Sequence, residues 1–387
     1  MAEVGSLDGV LVADFSRVLA GPYVTMTLGD LGATVVKVER PGQGDDTRAW
    51  GPPWSGDDST YYLGLNRNKR SVQLDLSEPG DRRRAARLAE RADVLVENFR
   101  AGTLDRYGLG YDELSAINRG LVYCSITGFG DAEAAADLPG YDLLVQAASG
   151  LMSITGEPDG RPLKVGVALV DHICALQATV GVLAALRHRD RTGEGQRVAV
   201  SLMGAALAAL LNQASGYLGA GVVPGRLGNR HPSIVPYQTF ASADGQFVLA
   251  SGTDAHFRKV AEVVGLPALA DDPRFVSNAR RVANVDELES ILSARFLTAT
   301  TANWTEAFAV VGVPAGPIND IAAAFAFAAQ VGIEAVNAID RSTARGAGGV
   351  RTVASPIGLS RTPTRTRLPP PGLGEHDDEI RAWLDAD

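Results

Sequence analysis

Cysteine is nearly absent from this chain. Its two copies among 387 residues, Cys124 and Cys174, sit in apolar runs, Val-Tyr-Cys-Ser-Ile and Ile-Cys-Ala-Leu. With no C-x-x-C spacing, neither a disulfide scaffold nor a thiolate metal centre is expected. Two buried free thiols in a reducing cytoplasm are the expectation. The five histidines are scattered without ligand spacing, so no metal is expected. An excess of basic residues is lacking too. The net charge is −9, which argues against nucleic acid as the main partner. The first residues, Met1-Ala2-Glu3-Val4-Gly5, have neither the basic start nor the apolar run of a signal peptide. The most apolar stretch, residues 165–186, is interrupted by Asp171, His172 and Gln177. Such groups are costly in lipid, so a buried helix is expected rather than a membrane span.

Dinucleotide-binding glycines are also missing. The first 45 residues read as strand, turn, helix and strand, a right-handed βαβ crossover. The turn is Arg17-Val18-Leu19-Ala20-Gly21-Pro22, with one glycine where a dinucleotide site needs G-x-G-x-x-G. No Walker sequence and no G-x-S-x-G elbow is present.

What is present is a regular alternation. Strand patterns at 10–15, 34–39, 71–76, 93–99 and 121–127 are separated by helical ones. This predicts an α/β fold with a mostly parallel sheet covered on both faces. Pro22 suits a first helical turn and Gly32 a helix end. Helices are expected at 141–152, 170–189 and 202–218, with a strand at 197–202. Gly219, Gly221, Pro224, Gly225 and Gly228 then form a joint. Residues 225–325, opening with a hairpin around Asp244-Gly245, read as a smaller α+β domain. Residues 1–220 together with 326–387 would form the large domain. No internal repeat is evident.

Three features could carry chemistry. Arg17, Arg40, Arg48, Arg67, Lys69 and Arg70 lie at or beyond expected strand ends, where α/β sheets bind ligands. In an acidic chain they suggest a polyanion, although solvated surface arginines give the same pattern. Asp171 lies between apolar runs. It reads as a helix N-cap, or as a carboxylate nucleophile in a water-poor site. His172, adjacent to it, points elsewhere on a helix and reads as packing or capping.

At these residues the chain resembles the class III CoA-transferase family (CaiB/BaiF). The resemblance is carried by Leu-Ala-Gly-Pro at 19–22, Leu-Gly-Ala-Thr-Val-Val-Lys-Val-Glu at 31–39 and Gly-Gln-Gly-Asp-Asp-Thr-Arg at 42–48. It continues through Asn-Arg-Asn-Lys-Arg-Ser at 66–71, Val-Glu-Asn-Phe-Arg-Ala-Gly at 96–102 and Arg-Thr-Gly-Glu-Gly-Gln at 191–196. Gly-Asn-Arg-His-Pro at 228–232 and Asp-Pro-Arg-Phe at 272–275 complete it. It implies a Rossmann-like large domain, a small α+β domain, and a homodimer whose two chains interlock.

Coenzyme A or acyl-CoA would be a substrate, with no permanently bound cofactor. A carboxylic acid would be the acceptor, with no metal, membrane or nucleic acid involved. The CoA site would comprise Val18, Leu19, Ala20, Arg40, Leu74, Asp75, Leu76, Ser77, Asn98, Phe99, Arg100 and Arg106. Phe99 would line the adenine pocket and the arginines would meet phosphates. Asp171 aligns with the family's catalytic aspartate, and Tyr141, Gly228 and Asn229 would touch substrate. Backbone amides of the loop at 225–229 are candidate oxyanion donors. A lysine of the family pattern is Pro139 here.

The implied reaction is CoA transfer through an aspartyl mixed anhydride and an aspartyl-CoA thioester. Two alternatives stand beside it. The family's 2-methylacyl-CoA racemases carry Gly-His-Asp where this chain has Gly140-Tyr141-Asp142, and tyrosine is a poor base at neutral pH. An inactive acyl-CoA-binding relative is the other.

Overall fold

The computed structural model describes residues 4–135, 138–340 and 349–386. The chain divides into two compact units. The larger takes in Met1–Leu151, Lys164–Val222 and Gly332–Asp387, the smaller Met152–Leu163 and Val223–Val331. The segment Met152–Leu163, which the sequence reading left in the large domain, therefore belongs to the smaller unit.

The larger unit begins with β1 (Leu11–Asp14), α1 (Ala20–Asp30) and β2 (Thr34–Glu39). A short hairpin follows, β3 (Trp54–Ser55) and β4 (Asp58–Ser59), then one turn of α2 (Thr60–Leu63). After it come β5 (Lys69–Gln73), α3 (Pro79–Arg91), β6 (Val94–Glu97), α4 (Tyr111–Ile117) and β7 (Val122–Thr127). The unit continues with α5 (Asp142–Ala148), α6 (Leu169–Thr192), β8 (Arg197–Ser201), α7 (Leu202–Ala209) and α8 (Leu211–Ala220).

Six of these strands form one sheet in the order β5-β2-β1-β6-β7-β8, every neighbouring pair parallel. Read by order of appearance this is 3-2-1-4-5-6, the doubly wound nucleotide-binding order. The inner strands β2, β1, β6 and β7 are largely apolar because both faces are covered. On one face α1 and α6 pack through Val24, Leu28, Val170, Cys174, Ala178 and Val182. On the other, Ala85 and Leu88 of α3 pack with Leu114 of α4. Cys124 and Cys174 are buried free thiols. By length and composition α6 could cross a membrane, but its buried stripe belongs to this core.

The helix expected at 202–218 is two helices, because Leu211 has φ +45° and breaks the ladder. Gly32 ends α1 at φ +119°, and a Cβ there would lie 2.9 Å from the Gly5 Cα. Only glycine fits that turn and that close approach.

The smaller unit contains β9 (Tyr237–Ala241), β10 (Gln246–Ala250), α9 (Asp254–Val263), α10 (Asn278–Ala283) and α11 (Val285–Phe296). It ends with α12 (Thr301–Val310), β11 (Ala315–Pro317) and α13 (Ile321–Gln330). Its three-stranded antiparallel sheet packs on an aromatic core of Phe240, Phe247, Phe296 and Phe308. The chain then returns to the larger unit through β12 (Val336–Ile339), β13 (Val350–Val353) and α14 (Asp377–Asp385). Ile380 and Leu384 of α14 join the core beside α3.

Candidate active site

The strand order reverses between β1 and β6, and ligands of open α/β sheets bind beyond the strand ends at such a point. The chain leaving β1 there makes the turn from Ser16 to Val18. Its backbone groups are held one after another. Asp14 accepts the Ser16 N–H at 3.0 Å, and Lys37 Nζ donates to the Ser16 carbonyl at 2.9 Å. The Asn98 side chain accepts the Arg17 N–H at 2.8 Å and donates to the Arg17 carbonyl at 2.7 Å. Asp45 accepts the Val18 N–H. Gly21 allows the closure, since a Cβ there would collide with the Ser16 side chain.

Under this turn lies a buried set of charges. Lys69 reaches Asp14 at 3.0 Å and Lys37 reaches Asp45 at 2.9 Å. Burial pulls the Lys69 ammonium down to about 8, against the Asp14 charge that holds it up. Burial would raise the Asp45 carboxyl, but Lys37 and the Thr47 amide outweigh it and hold it at about 2.

Asp171 occupies the third position of α6. The sequence reading offered it as the N-cap. The structure gives that place to Ala168, which makes no side-chain cap. The capping comes instead from Asp142 of α5, whose Oδ1 accepts the N–H of Val170 at 2.8 Å and of Asp171 at 3.2 Å. Asp142 is fixed in turn by the fully buried Gln146, which donates to its Oδ2 at 2.5 Å and accepts the Val165 N–H at 2.9 Å. The Asp171 carboxyl is thus relieved of capping. Burial, with the Asp142 charge beside it, pushes that carboxyl up to about 7. The helix N-terminus acts the other way but is partly spent on Asp142.

Two cavities meet at Arg17 and Phe99, which line both. Asp171 and Tyr141 share the first with Val18, Leu19, Ala20, Asn98, Phe99 and Arg100. Pro139 also lines it. Arg40 shares the second with Leu74, Asp75, Leu76 and Ser77. The Arg17 guanidinium lies 5.0 Å over the Phe99 ring, within cation–π range. Arg17 and Arg40 both pair with Asp46, at 3.3 and 2.5 Å. The two arginines thus share one carboxylate, and Arg40 also donates to the Gly44 carbonyl. Tyr141 is 67% exposed. Asp75 accepts the N–H and hydroxyl of Ser77, closing its own loop.

Several expectations need correction. The basic residues do not form one cluster. Arg48 is bound to Glu39 and the Tyr62 hydroxyl, Arg67 is buried on Asp30, Lys69 is buried on Asp14, and Arg70 pairs with Glu379. The strand expected at 71–76 runs over Lys69–Gln73, which takes Lys69 inside the sheet. Arg106 is exposed and lines neither cavity. Gly228 and Asn229 lie in the smaller unit, within the expected 225–325. There the Gly228 N–H donates to the Gly156 carbonyl at 3.0 Å, so it is not a free oxyanion donor. The Asn229 amide donates to Thr239.

Sequence reasoning missed Asp14, Lys37, Asp45, Asp142 and Gln146. Two carried a signal. A lone lysine within Val-Val-Lys-Val, or a lone aspartate within Val-Ala-Asp-Phe, is anomalous in a strand buried on both faces.

Residues 7–377 match CoA-transferase family III. A succinate–glutarate CoA-transferase of Agrobacterium fabrum is 44% identical over 387 residues, covering 98% of this chain and 96% of the relative. A human succinyl-CoA:glutarate CoA-transferase is 40% identical over 380 residues, covering 98% of this chain and 86% of the relative. A crystal structure of a CaiB/BaiF family protein from Brucella suis has a TM-score of 0.87 at 41% identity, covering 99% of this chain and 100% of that one. The chain belongs to CoA-transferase family III and is an enzyme of that family.

Proposed function

We propose that the enzyme moves CoA from a donor acyl-CoA to an acceptor carboxylate with Asp171 as nucleophile. The ionised Asp171 attacks the thioester carbonyl, a mixed anhydride forms and CoA thiolate leaves. The thiolate then attacks the aspartyl carbonyl, which frees the donor acid and leaves an aspartyl-CoA thioester. The acceptor carboxylate attacks that thioester, giving a second mixed anhydride and free thiolate; the thiolate attacks the acceptor acyl carbonyl, forming the new acyl-CoA and releasing the Asp171 carboxylate. The thioester is kept throughout, so no ATP is consumed.

The observation that carries this reading is the Asp171 carboxyl itself. It lines the cavity at the switch point and accepts no hydrogen bond among the described residues. A structural carboxylate in so apolar a place would be paired. Arg40 and Arg17 are suited to CoA phosphates, and the cavity of Leu74–Ser77 with Phe99 to the adenine. Since relatives act on succinate, glutarate and oxalate, short dicarboxylic acids are the first acceptors to assay.

The functional form is a homodimer of interlocked chains. In the larger unit Val180 is 67% and Leu218 81% exposed, and in the smaller unit Ile321 is 79% exposed. A second copy would cover exposed apolar side chains such as these. Light scattering should give twice the chain mass.

Asp171→Asn tests the assignment. CoA transfer from succinyl-CoA to glutarate should fall by about 10³-fold or more while CoA still binds. Full retention of CoA exchange would overturn it.

A further inference from the structure

Val18, Asn68 and Leu211 are the non-glycine residues with positive φ among those described, and Val18 has φ +68°. A β-branched side chain is a poor occupant of that region. Such a conformation persists only where its surroundings over-determine it. Here the surroundings are specific. The Val18 N–H lies 3.3 Å from both carboxylate oxygens of Asp45. Asp45 also accepts the N–H and hydroxyl of Thr47 at 3.0 and 2.7 Å. Lys37 Nζ bridges the Asp45 carboxylate and the Ser16 carbonyl, each at 2.9 Å. Lys37 is 1% exposed. A buried ion pair is weak support for stability, since apolar residues of like volume often serve as well. The bonds of this pair go instead to the turn that walls the Asp171 cavity.

We propose that the buried Lys37–Asp45 pair is a positioning device. It clamps Ser16 and Val18 from beneath and holds Val18 in its left-handed conformation, so that this wall of the CoA site is formed before ligand arrives. The proposal rests on the reading of the cavity as a CoA site. Lys37 and Asp45 act through Val18 and are positioning residues, not catalytic ones.

The test compares Lys37→Met, Val18→Gly and the double variant. Two readouts are taken: CoA affinity by calorimetry, and hydrogen exchange of the peptide spanning residues 14–22. Lys37→Met should weaken CoA binding by about ten-fold or more and speed exchange in that peptide, with exchange of β6 and β7 unchanged. Glycine adopts positive φ without a clamp. Adding Val18→Gly should therefore bring CoA affinity back to that of Val18→Gly alone. Lowered thermal stability with unchanged affinity and exchange would overturn the proposal, as would a double variant whose losses simply add. If Lys37→Met does not fold, Asp45→Ala removes the acceptor for Val18; the same pattern is expected and the same results overturn it. Wild-type protein that does not bind CoA would instead overturn the function reading, while exchange at 14–22 still decides the clamp.

Discussion

Asp142 and Asp171 lie on neighbouring helices, and one carboxylate oxygen of Asp142 accepts the backbone N–H of Asp171 at 3.2 Å. A single residue therefore caps the helix that carries Asp171 and places a negative charge beside it. The cap fixes where Asp171 stands. The charge, together with burial, sets its ionisation near neutrality.

Activity should follow that ionisation. Asp171 must be deprotonated to attack, and its carboxyl is held at about 7. The rate constant kcat/KM should rise with pH across about 6 to 8 and level off above. Asp142→Asn keeps an acceptor for the helix amides and removes the charge. Its profile should move to lower pH, by about half a unit or more. A profile flat from pH 5 to 8, or unmoved by Asp142→Asn, would contradict the arrangement.

The same shift has a stability consequence of opposite sense to the usual carboxylate. A carboxyl raised in the folded state holds its proton more tightly there than when unfolded. Ionising it costs folding free energy, so stability falls as pH rises from about 4 through 7. Asp171→Asn should raise the melting temperature at pH 8, by the equivalent of about 1–2 kcal/mol after allowing for partial exposure. The gain should vanish near pH 4. A variant less stable than wild type at pH 8 would show that the carboxylate is structural.

The buried and exposed basic residues should separate cleanly. Lys69 is fully buried on Asp14. Lys69→Met leaves that aspartate unpaired and should cost about 3–5 kcal/mol. Arg70 pairs with Glu379 at the surface, and Arg70→Ala should cost less than about 1 kcal/mol. Urea unfolding of the two variants reads the difference directly.

This contrast also marks what the sequence could carry. The alternation of apolar strands with helices foretold the parallel sheet, because burial on both faces leaves its mark on the inner strands. Val18, Leu19, Ala20, Phe99 and Asp171, which the sequence singles out, line one cavity. Charge partners were not legible. Lys69 and Arg70 are adjacent in sequence, yet one points into the core and the other to solvent. Period-two alternation along β5 decides which, and that depended on where the strand began. Asp142 was visible only as the neighbour of Tyr141; its cap on α6 spans 28 residues of sequence and has no local signature.

Ligand binding should likewise divide two arginines that the family pattern treats alike. Arg40 lines the cavity with Leu74–Ser77 and is held by the Asp46 carboxylate and the Gly44 carbonyl. Arg40→Gln should weaken CoA binding by about ten-fold and flatten its salt dependence. Arg106 lines neither cavity, and Arg106→Gln should change affinity by less than about two-fold. Calorimetry at two ionic strengths checks both. Equal losses would place Arg106 on the ligand.

On the proposed route CoA passes through a covalent bond to Asp171. Hydroxylamine added during turnover with succinyl-CoA and glutarate, followed by peptide mass spectrometry, tests it most directly. A hydroxamate should form on Asp171 only when acyl-CoA is present. Turnover at the normal rate with Asp171 unmodified, or with the label on another residue, would contradict it.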